Sequence, residues 1–237
     1  LNDNVVNAGP VATFAKHAVV SENKCIRINK DLDSKITAIL GCALATGYGL
    51  VNRTGLIKRT EKIAIVGAGG IGQSSLIFAN LLGNEDTTVF DRNDQALERA
   101  KKTGRCSLCN TADILDKNLI DSFDCVLETS GSKNGSELAY DLAKRQNGRV
   151  VFAGNLTFGT KISIDPFHLL QGKKIVGCDY GNSNPESDFP KIEKYILDNQ
   201  SIFDNLITDI LPLKELNQAF EMMEKGQVLR IVLDCSD

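Results

Sequence analysis

Hydrophobic residues in the middle of the chain form short unbroken runs, and the segments between the runs have helical spacing. The runs are "KIAIV" at 62–66, "TTVF" at 87–90, "DCVLE" at 124–128 and "GRVVFAG" at 148–154. Such runs are typical of strands that are buried on both faces. The segments between them predict helices at 70–82, 94–102 and 136–145. Strands that alternate with helices predict an α/β fold with a doubly wound parallel sheet.

The two ends of the chain have a different pattern. "VATFAKHAVV" at 11–20 and "CIRI" at 25–28 are β-branched or alternating and predict short strands. Helical spacing runs from Asp33 to about Val51, and it is interrupted by glycines. The pattern loosens after Gly181, where it predicts two helices and a last strand, "LRIVLDC".

Composition and charge exclude several classes of function. The 237 residues carry 27 Lys and Arg against 30 Asp and Glu, without a basic block, so we expect no nucleic acid and no anionic membrane as partner. No apolar run approaches the roughly 18 residues of a membrane span, and no signal peptide opens the chain. Seven irregularly spaced cysteines indicate free thiols in a reducing compartment, which predicts a cytoplasmic protein. Because the chain begins with Leu1, we expect it to be a piece of a longer protein.

The strongest local motif is "IAIVGAGGIGQSSL", which has the spacing G-x-G-x-x-G directly after a predicted strand. The first glycine suits the tight turn, the second lets the backbone approach a pyrophosphate, and the third lets the helix pack closely on the strand. The following helix directs its unpaired N–H groups at the anion. The candidate cofactor contacts in this turn are Gly67, Gly69, Gly70, Ile71 and Gly72.

The second strand of the motif ends in Asp91, about 20 residues after the last glycine. A carboxylate there accepts hydrogen bonds from an adenosine ribose and repels the 2′-phosphate of NADP, so we predict NAD as the cofactor. Arg92 is next to it and is able to meet a 2′-phosphate, which favours NADP. The alternative for the whole motif is a plain tight turn in which Asp91 only caps the next helix.

Several motifs, in this order, resemble those of the zinc-dependent medium-chain alcohol dehydrogenases: "VATFAKHAVV", "GCALATGYG", the glycine motif, "GRVVFAGNL", "DPFHLLQGKKIVG" and "VLRIVL". The resemblance covers nearly the whole chain. It implies a Rossmann domain flanked by remnants of a GroES-like catalytic domain. The implied division is a catalytic-domain remnant at 1–46, an NAD-binding domain at 47–180 and a C-terminal return to the catalytic domain at 181–237.

The resemblance also implies roles for single residues. Cys42 aligns with one protein ligand of a catalytic zinc, and Thr46 aligns with a threonine that packs against the nicotinamide ring. Arg230 aligns with an arginine that contacts the pyrophosphate, and the backbone around Gly154 and at 178–180 aligns with segments that hold the carboxamide. From the residues alone, a buried free thiol is the favoured interpretation of Cys42. The family's other two zinc ligands lie in an N-terminal barrel that this sequence lacks, so we expect an incomplete zinc site.

The function implied by the resemblance is hydride transfer between NAD and an alcohol or aldehyde, with zinc as Lewis acid in the full-length protein. We expect this chain alone to be inactive. Two alternatives remain at this point: a zinc-free quinone or enone reductase of the same superfamily, and a nucleotide-binding module without catalysis. By analogy with the family, the last strands near "KKIVGCDY" pair in a homodimer or homotetramer. His17, His168 and the "CSLC" cysteines, Cys106 and Cys109, are interpreted as structural or incidental.

Overall fold

A computed structural model of the protein describes residues 13–113 and 116–236. Its centre is a six-stranded sheet in the order β3-β2-β1-β4-β5-β6, in which every neighbouring pair is parallel. This is the strand order of a Rossmann fold, so the predicted fold class is confirmed. The strands are β1 Ile63–Val66, β2 Thr87–Asp91, β3 Ser107–Asn110, β4 Cys125–Glu128, β5 Arg149–Phe152 and β6 Lys174–Gly177.

Helices cover both faces of this sheet. Side chains alternate along β1, so that Ile63 and Ile65 belong to one buried cluster and Ala64 and Val66 to another. The first cluster includes residues of α1, α2, α3 and α6, and the second includes residues of α4. The helices are α1 Ser34–Thr54, α2 Gly70–Leu82, α3 Asp94–Thr103, α4 Lys133–Leu142, α5 Phe167–Leu170, α6 Pro185–Asp198, α7 Gln200–Asp204 and α8 Leu216–Glu224.

The long helix α1 contains two π-helical turns, at Leu40–Leu44 and Leu50–Thr54. By length and composition it could cross a membrane, which the sequence pattern did not predict, but 67% of its most apolar window is buried inside the protein. It packs closely on α2 at Gly47, where an added Cβ would lie 2.5 Å from Ser74 Cβ. Packing in the core therefore accounts for its apolar composition.

A buried ion pair joins α1 to α6. Arg53 donates from Nη2 to Asp188 Oδ1 at 2.5 Å and from Nε to Asp188 Oδ2 at 3.1 Å. The Asp188 side chain is fully buried, whereas that of Arg53 is 39% exposed. Burial by itself raises the pKa of Asp188, but the hydrogen bonds from Arg53 and from the Asn184 backbone outweigh burial and leave the pKa lowered. The pair thus fixes α6 against the helix that carries Cys42 and Thr46.

The predicted strands at 11–20 and 25–28 are wrong where the structure describes them. Residues 13–33 form no strand, and Val11 and Ala12 lie outside the described residues. Phe14 is 58% exposed and Val19 is fully exposed. A strand needs a neighbouring strand to pair its backbone groups, and none of the described strands pairs with this segment.

The predicted last strand is confirmed as β8 Ile231–Asp234, which pairs in parallel with β7 Asp209–Pro212. Helix α8 connects the two strands, so the end of the chain forms a small unit of its own. The hydrogen bond from Thr208 N to Arg230 O, at 2.9 Å, continues the pairing to the residue before β8. This pairing fixes the backbone of Arg230.

Candidate functional site

The turn between β1 and α2 is built around close backbone contacts. Gly67 has a φ of +102°, a conformation that glycine adopts readily, and an added Cβ would lie 2.7 Å from Ser130 N. A Cβ on Gly72 would overlap Gly67 O and lie 2.9 Å from Thr129 Oγ1. Gly69 differs, because no atom lies within 4 Å of its would-be Cβ. Gly67 and Gly72 therefore hold the turn together, and Gly69 faces open space.

Asp91, at the end of β2, binds this same turn. Its Oδ2 accepts a hydrogen bond from Ala68 N at 2.7 Å, and its Oδ1 accepts one from Asn93 N at 2.9 Å. Each carboxylate oxygen has two acceptor sites, so both oxygens retain capacity for a further donor. Arg92 beside it is exposed. Asp91 and Arg92 both line a cavity of about 860 Å³.

That cavity lies along the carboxyl ends of β1, β2 and β4, where open α/β sheets bind their ligands. Its volume is in the range of small-molecule sites. The first turn of α4 lines it together with the glycine turn, and polar side chains are frequent in its wall. The lining residues include Gly67, Gly69, Phe90, Thr129, Ser130, Ser132 and Lys133.

Arg230 lies across the first turn of α2, although it is far away in sequence. A Cβ added to Gly70 would overlap the Arg230 guanidinium, so the arginine rests directly on the helix N-terminus. Its Nε is buried and has no hydrogen-bond partner among the described residues. Ile71, next in the helix, is half-buried and packs against the core. A guanidinium beside free helical N–H groups is suited to a phosphate or pyrophosphate group, which would pair the buried Nε.

Cys42 and Thr46 lie one helical turn apart on α1. Cys42 is exposed, within the first π-helical turn, and Thr46 is 5% exposed. The loop after β6 packs against them, because a Cβ on Gly181 would lie 2.5 Å from Thr46 O. Burial raises the pKa of Tyr180, and the electrostatic interaction with the nearby Cys42 raises it further. The structure therefore brings Cys42, Thr46 and Tyr180 into one region.

Cys42 has no set of metal-ligating neighbours. Within residues 13–113 and 116–236, no group of three or more His, Cys, Asp or Glu side chains is placed to hold a metal ion. Zinc sites in enzymes use three protein ligands and keep a fourth position open. The described residues do not fit a zinc ion by themselves, and Cys42 supplies at most one ligand.

Glu128, at the end of β4, is a site residue that the sequence prediction missed. Its carboxyl is completely buried, and Oε1 accepts hydrogen bonds from Ser130 N at 2.9 Å, Ser130 Oγ at 2.5 Å and Gly131 N at 3.2 Å. Gly154, after β5, donates its N–H to the Glu128 main-chain oxygen at 2.9 Å. Burial raises the pKa of Glu128 despite these hydrogen bonds. The available signal was a charged residue that ends an otherwise apolar strand, "DCVLE".

A comparison with known protein families agrees with the resemblance found in the sequence. A family model described as zinc-binding dehydrogenase matches residues 70–197, which is more than half of the chain. The chain belongs to this zinc-binding dehydrogenase family. The predicted resemblance is thus confirmed.

Similar zinc-binding dehydrogenases are found among curated proteins and solved structures. An alcohol dehydrogenase class-3 of Drosophila melanogaster is 29% identical over 231 residues, which are 94% of this chain and 61% of that protein. An S-(hydroxymethyl)glutathione dehydrogenase of Haemophilus influenzae is 27% identical over 94% of this chain and 61% of its own length. The crystal structure of benzyl alcohol dehydrogenase from Acinetobacter calcoaceticus superposes with a TM-score of 0.84 at 25% identity, over 91% of this chain and 61% of that one. The chain thus spans about three fifths of these relatives.

Among the described residues, the remaining cysteines and histidines singled out in the sequence form no group of metal ligands. Cys106 and Cys109 are free thiols. Burial raises the pKa of Cys106 to about 11 and also raises that of Cys109, so neither thiol is activated. His168 stacks on the Tyr140 ring at 6.2 Å between centroids, and His17 is exposed.

Proposed function

We propose that this chain is the NAD-binding part of an oxidoreductase that transfers a hydride between NAD and a small alcohol or aldehyde. The observation that carries the proposal is Arg230, whose unpaired, buried Nε lies on the first turn of α2. Asp91 lies on the other side of the same turn, beside the cavity. A dinucleotide would present its pyrophosphate to the Arg230 guanidinium and its adenosine ribose to the Asp91 carboxylate.

We assign the residues around the turn as follows. Gly67, Gly69, Gly70, Ile71 and Gly72 bring backbone N–H groups to the pyrophosphate, and Arg230 pairs with its charge. Asp91 accepts the ribose hydroxyls, and its negative charge disfavours the 2′-phosphate of NADP. The exposed Arg92 lies at the mouth of the cavity, beside the adenosine.

The nicotinamide end belongs, in this proposal, near Gly154 and the loop at 178–180. Thr46 packs against the ring as the residue closest to the reacting carbon, and Cys42 on the preceding turn supplies one ligand to a zinc ion. Further ligands have to come from outside the described residues. When bound there, NAD would supply the hydride acceptor for the alcohol carbon, and the alcohol proton would be released to solvent.

The full protein's partners are part of the same proposal. The relatives include alcohol dehydrogenases, which supports a small alcohol or aldehyde as substrate. An assembly of two or four copies through the edge strand β6 and a cytoplasmic location remain predictions from the sequence and its resemblance.

The experiment combines binding and isotope transfer. NADH is titrated into the purified chain while its fluorescence is recorded. The chain, and separately the protein isolated from its own cells, is then incubated with NADH deuterated at C4 and a panel of aldehydes. Mass spectrometry detects deuterium in the alcohol products.

Each outcome decides between the functions. Enhanced NADH fluorescence with deuterated alcohol in the native protein supports the proposal. NADH binding without transfer in either preparation would instead show a nucleotide-binding module. Deuterium in reduced enones or quinones only would show the reductase alternative, and no NADH binding would refute the cofactor site itself.

A further inference from the structure

Glu128 is an acidic side chain buried near the middle of the sheet, and the proposed hydride transfer gives it no role. It ends β4, the strand that pairs with β1 on one side and with β5 on the other. Its side chain is completely inaccessible, and its Oε1 receives hydrogen bonds from Ser130 and Gly131. A buried carboxyl destabilises the fold unless its hydrogen bonds compensate for the lost hydration. A role beyond stability would explain why an acid is found at this position.

The other oxygen of the same carboxyl is directed at a different loop. Oε2 is buried without a hydrogen-bond partner among the described residues. It lies against Gly154, where an added Cβ would overlap it. The main-chain oxygen of Glu128 also accepts from Ala153 N and Gly154 N, both at 2.9 Å. The two loops touch each other as well, because a Cβ on Gly131 would lie 2.9 Å from Asn155 O. One residue thus fixes the loops at 130–131 and 153–155 together.

The loop at 153–155 lies in the half of the sheet away from Asp91, and the loop at 130–131 lies between that half and the cavity, which Ser130 also lines. Strand order reverses between β1 and β4, and a dinucleotide crosses the sheet at this point. Asp91 ends β2 on one side of the crossing, and the loops held by Glu128 end β4 and β5 on the other side. The far half of a dinucleotide, which contains the nicotinamide, therefore lies at these loops.

We propose that Glu128 is a positioning residue for the nicotinamide half of the cofactor, and that it acts through the loops at 130–131 and 153–155. The inference rests on the proposed function, because it presumes that NAD binds at the glycine turn. Removal of the carboxyl frees the loop at 130–131 and takes away the side chain that packs on Gly154, so the nicotinamide half loses its ordered wall. The adenosine and pyrophosphate contacts, on the other side of the crossing, stay in place.

The test compares two ligands that differ only at the nicotinamide end. NADH and ADP-ribose are titrated calorimetrically into the wild-type chain and the variants Glu128→Ala and Glu128→Gln. In Glu128→Ala, we expect NADH to bind on the order of tenfold more weakly, because the hydrogen bonds that order the loop beside the nicotinamide are lost. ADP-ribose affinity stays within about twofold. Glu128→Gln retains an oxygen that accepts from Ser130 N and Gly131 N, and so restores most of the NADH affinity.

Glu61→Gln is the matched control. Glu61 is also a largely buried acid, which accepts from Arg149 Nη1 at 2.9 Å and from Arg149 Nη2 at 2.6 Å, at the opposite end of β1. Its loss changes stability without changing the ratio of the two affinities. If Glu128→Ala does not fold, Glu128→Asp replaces it, because the shorter side chain retracts from both loops.

The outcomes separate this inference from the proposed function. A selective loss of NADH affinity in Glu128→Ala or Glu128→Asp, with rescue in Glu128→Gln, supports the positioning role. Equal losses for NADH and ADP-ribose, or no loss for either, overturn it. A wild-type chain that binds neither ligand instead overturns the cofactor site, and with it the premise of this inference.

Discussion

Replacement of Arg230 by methionine removes a charge from the place where the C-terminal part of the chain meets the glycine turn. The guanidinium rests on Gly70 at the start of α2, and its Nε is buried without a partner within the described residues. Methionine retains much of the aliphatic stem, so packing on Gly70 changes little. The variant therefore isolates the charge-assisted hydrogen bonds that we assign to the pyrophosphate.

The expected loss follows from the number and kind of these bonds. A hydrogen bond to a charged group contributes about 1.5–3 kcal/mol, which corresponds to a roughly 10- to 150-fold weaker affinity for NADH and ADP-ribose. Adenosine lacks the pyrophosphate, so its weak binding, followed by saturation-transfer NMR, stays unchanged. Isothermal titration calorimetry at two salt concentrations gives the affinities. A difference between wild type and variant that shrinks at high salt shows that the lost binding free energy is electrostatic.

Arg105→Met is the control for net charge, because Arg105 pairs only with Glu85 and both side chains are largely exposed, at 62% and 76%. It leaves NADH affinity within about twofold, since exposed pairs contribute little. The assignment of Arg230 to the pyrophosphate would be refuted if Arg230→Met bound NADH as tightly as wild type. It would also be refuted if the affinity for adenosine fell as much as the affinity for NADH.

Three further predictions concern stability and cofactor choice. Arg53→Met leaves the buried Asp188 carboxylate without its arginine partner and lowers the free energy of unfolding, by less than the loss of a fully buried pair would because Arg53 is 39% exposed; urea titration measures the loss as a lower midpoint, and an unchanged midpoint would contradict it. The raised pKa of Glu128 lets the folded state hold a proton that the unfolded state has lost, so stability decreases as pH rises through that window. Glu128→Gln should therefore raise the melting temperature more at about pH 8 than at about pH 4, and equal gains would refute this. Asp91→Asn removes the charge that repels a 2′-phosphate, and the ratio of NADPH to NADH affinity should rise roughly tenfold in competition titrations, whereas a constant ratio would remove Asp91 from cofactor selection.

The hydrophobic pattern predicted the four inner strands of the sheet well because they are largely buried, whereas the edge strands β3 and β6 are mostly exposed or half-buried. β1, for example, consists entirely of buried residues, and the apolar run "KIAIV" contains it. Helix boundaries were less well predicted. The helix expected from residue 136 begins at Lys133, because Ser132 caps it by accepting from Gly135 N. It ends at Leu142, because Ala143 is extended and bridges to Phe123.

The strand predictions near the N-terminus failed for a physical reason. Alternating and β-branched residues favour a strand only when a neighbouring strand supplies hydrogen bonds and an apolar face. In the described structure, Val19 and Phe14 are exposed and no described strand pairs with their segment, so the segment forms no strand.

The two ends of the candidate cofactor site differ in how much of each the sequence reveals. At the adenosine end, the glycine turn and Asp91 belong to one continuous segment, since Ile63 to Asp91 form a strand, a turn, a helix and a second strand whose spacing is fixed by local geometry. The nicotinamide end is assembled from α1, the ends of β4 and β5, and the loop after β6. The parts of the nicotinamide end are related only through packing, so no local spacing identifies Glu128 as the common hydrogen-bond acceptor of the loops after β4 and β5. Sequence patterns miss residues such as Glu128, which connect separate loops. Substitution of such a residue should change cofactor affinity as well as stability.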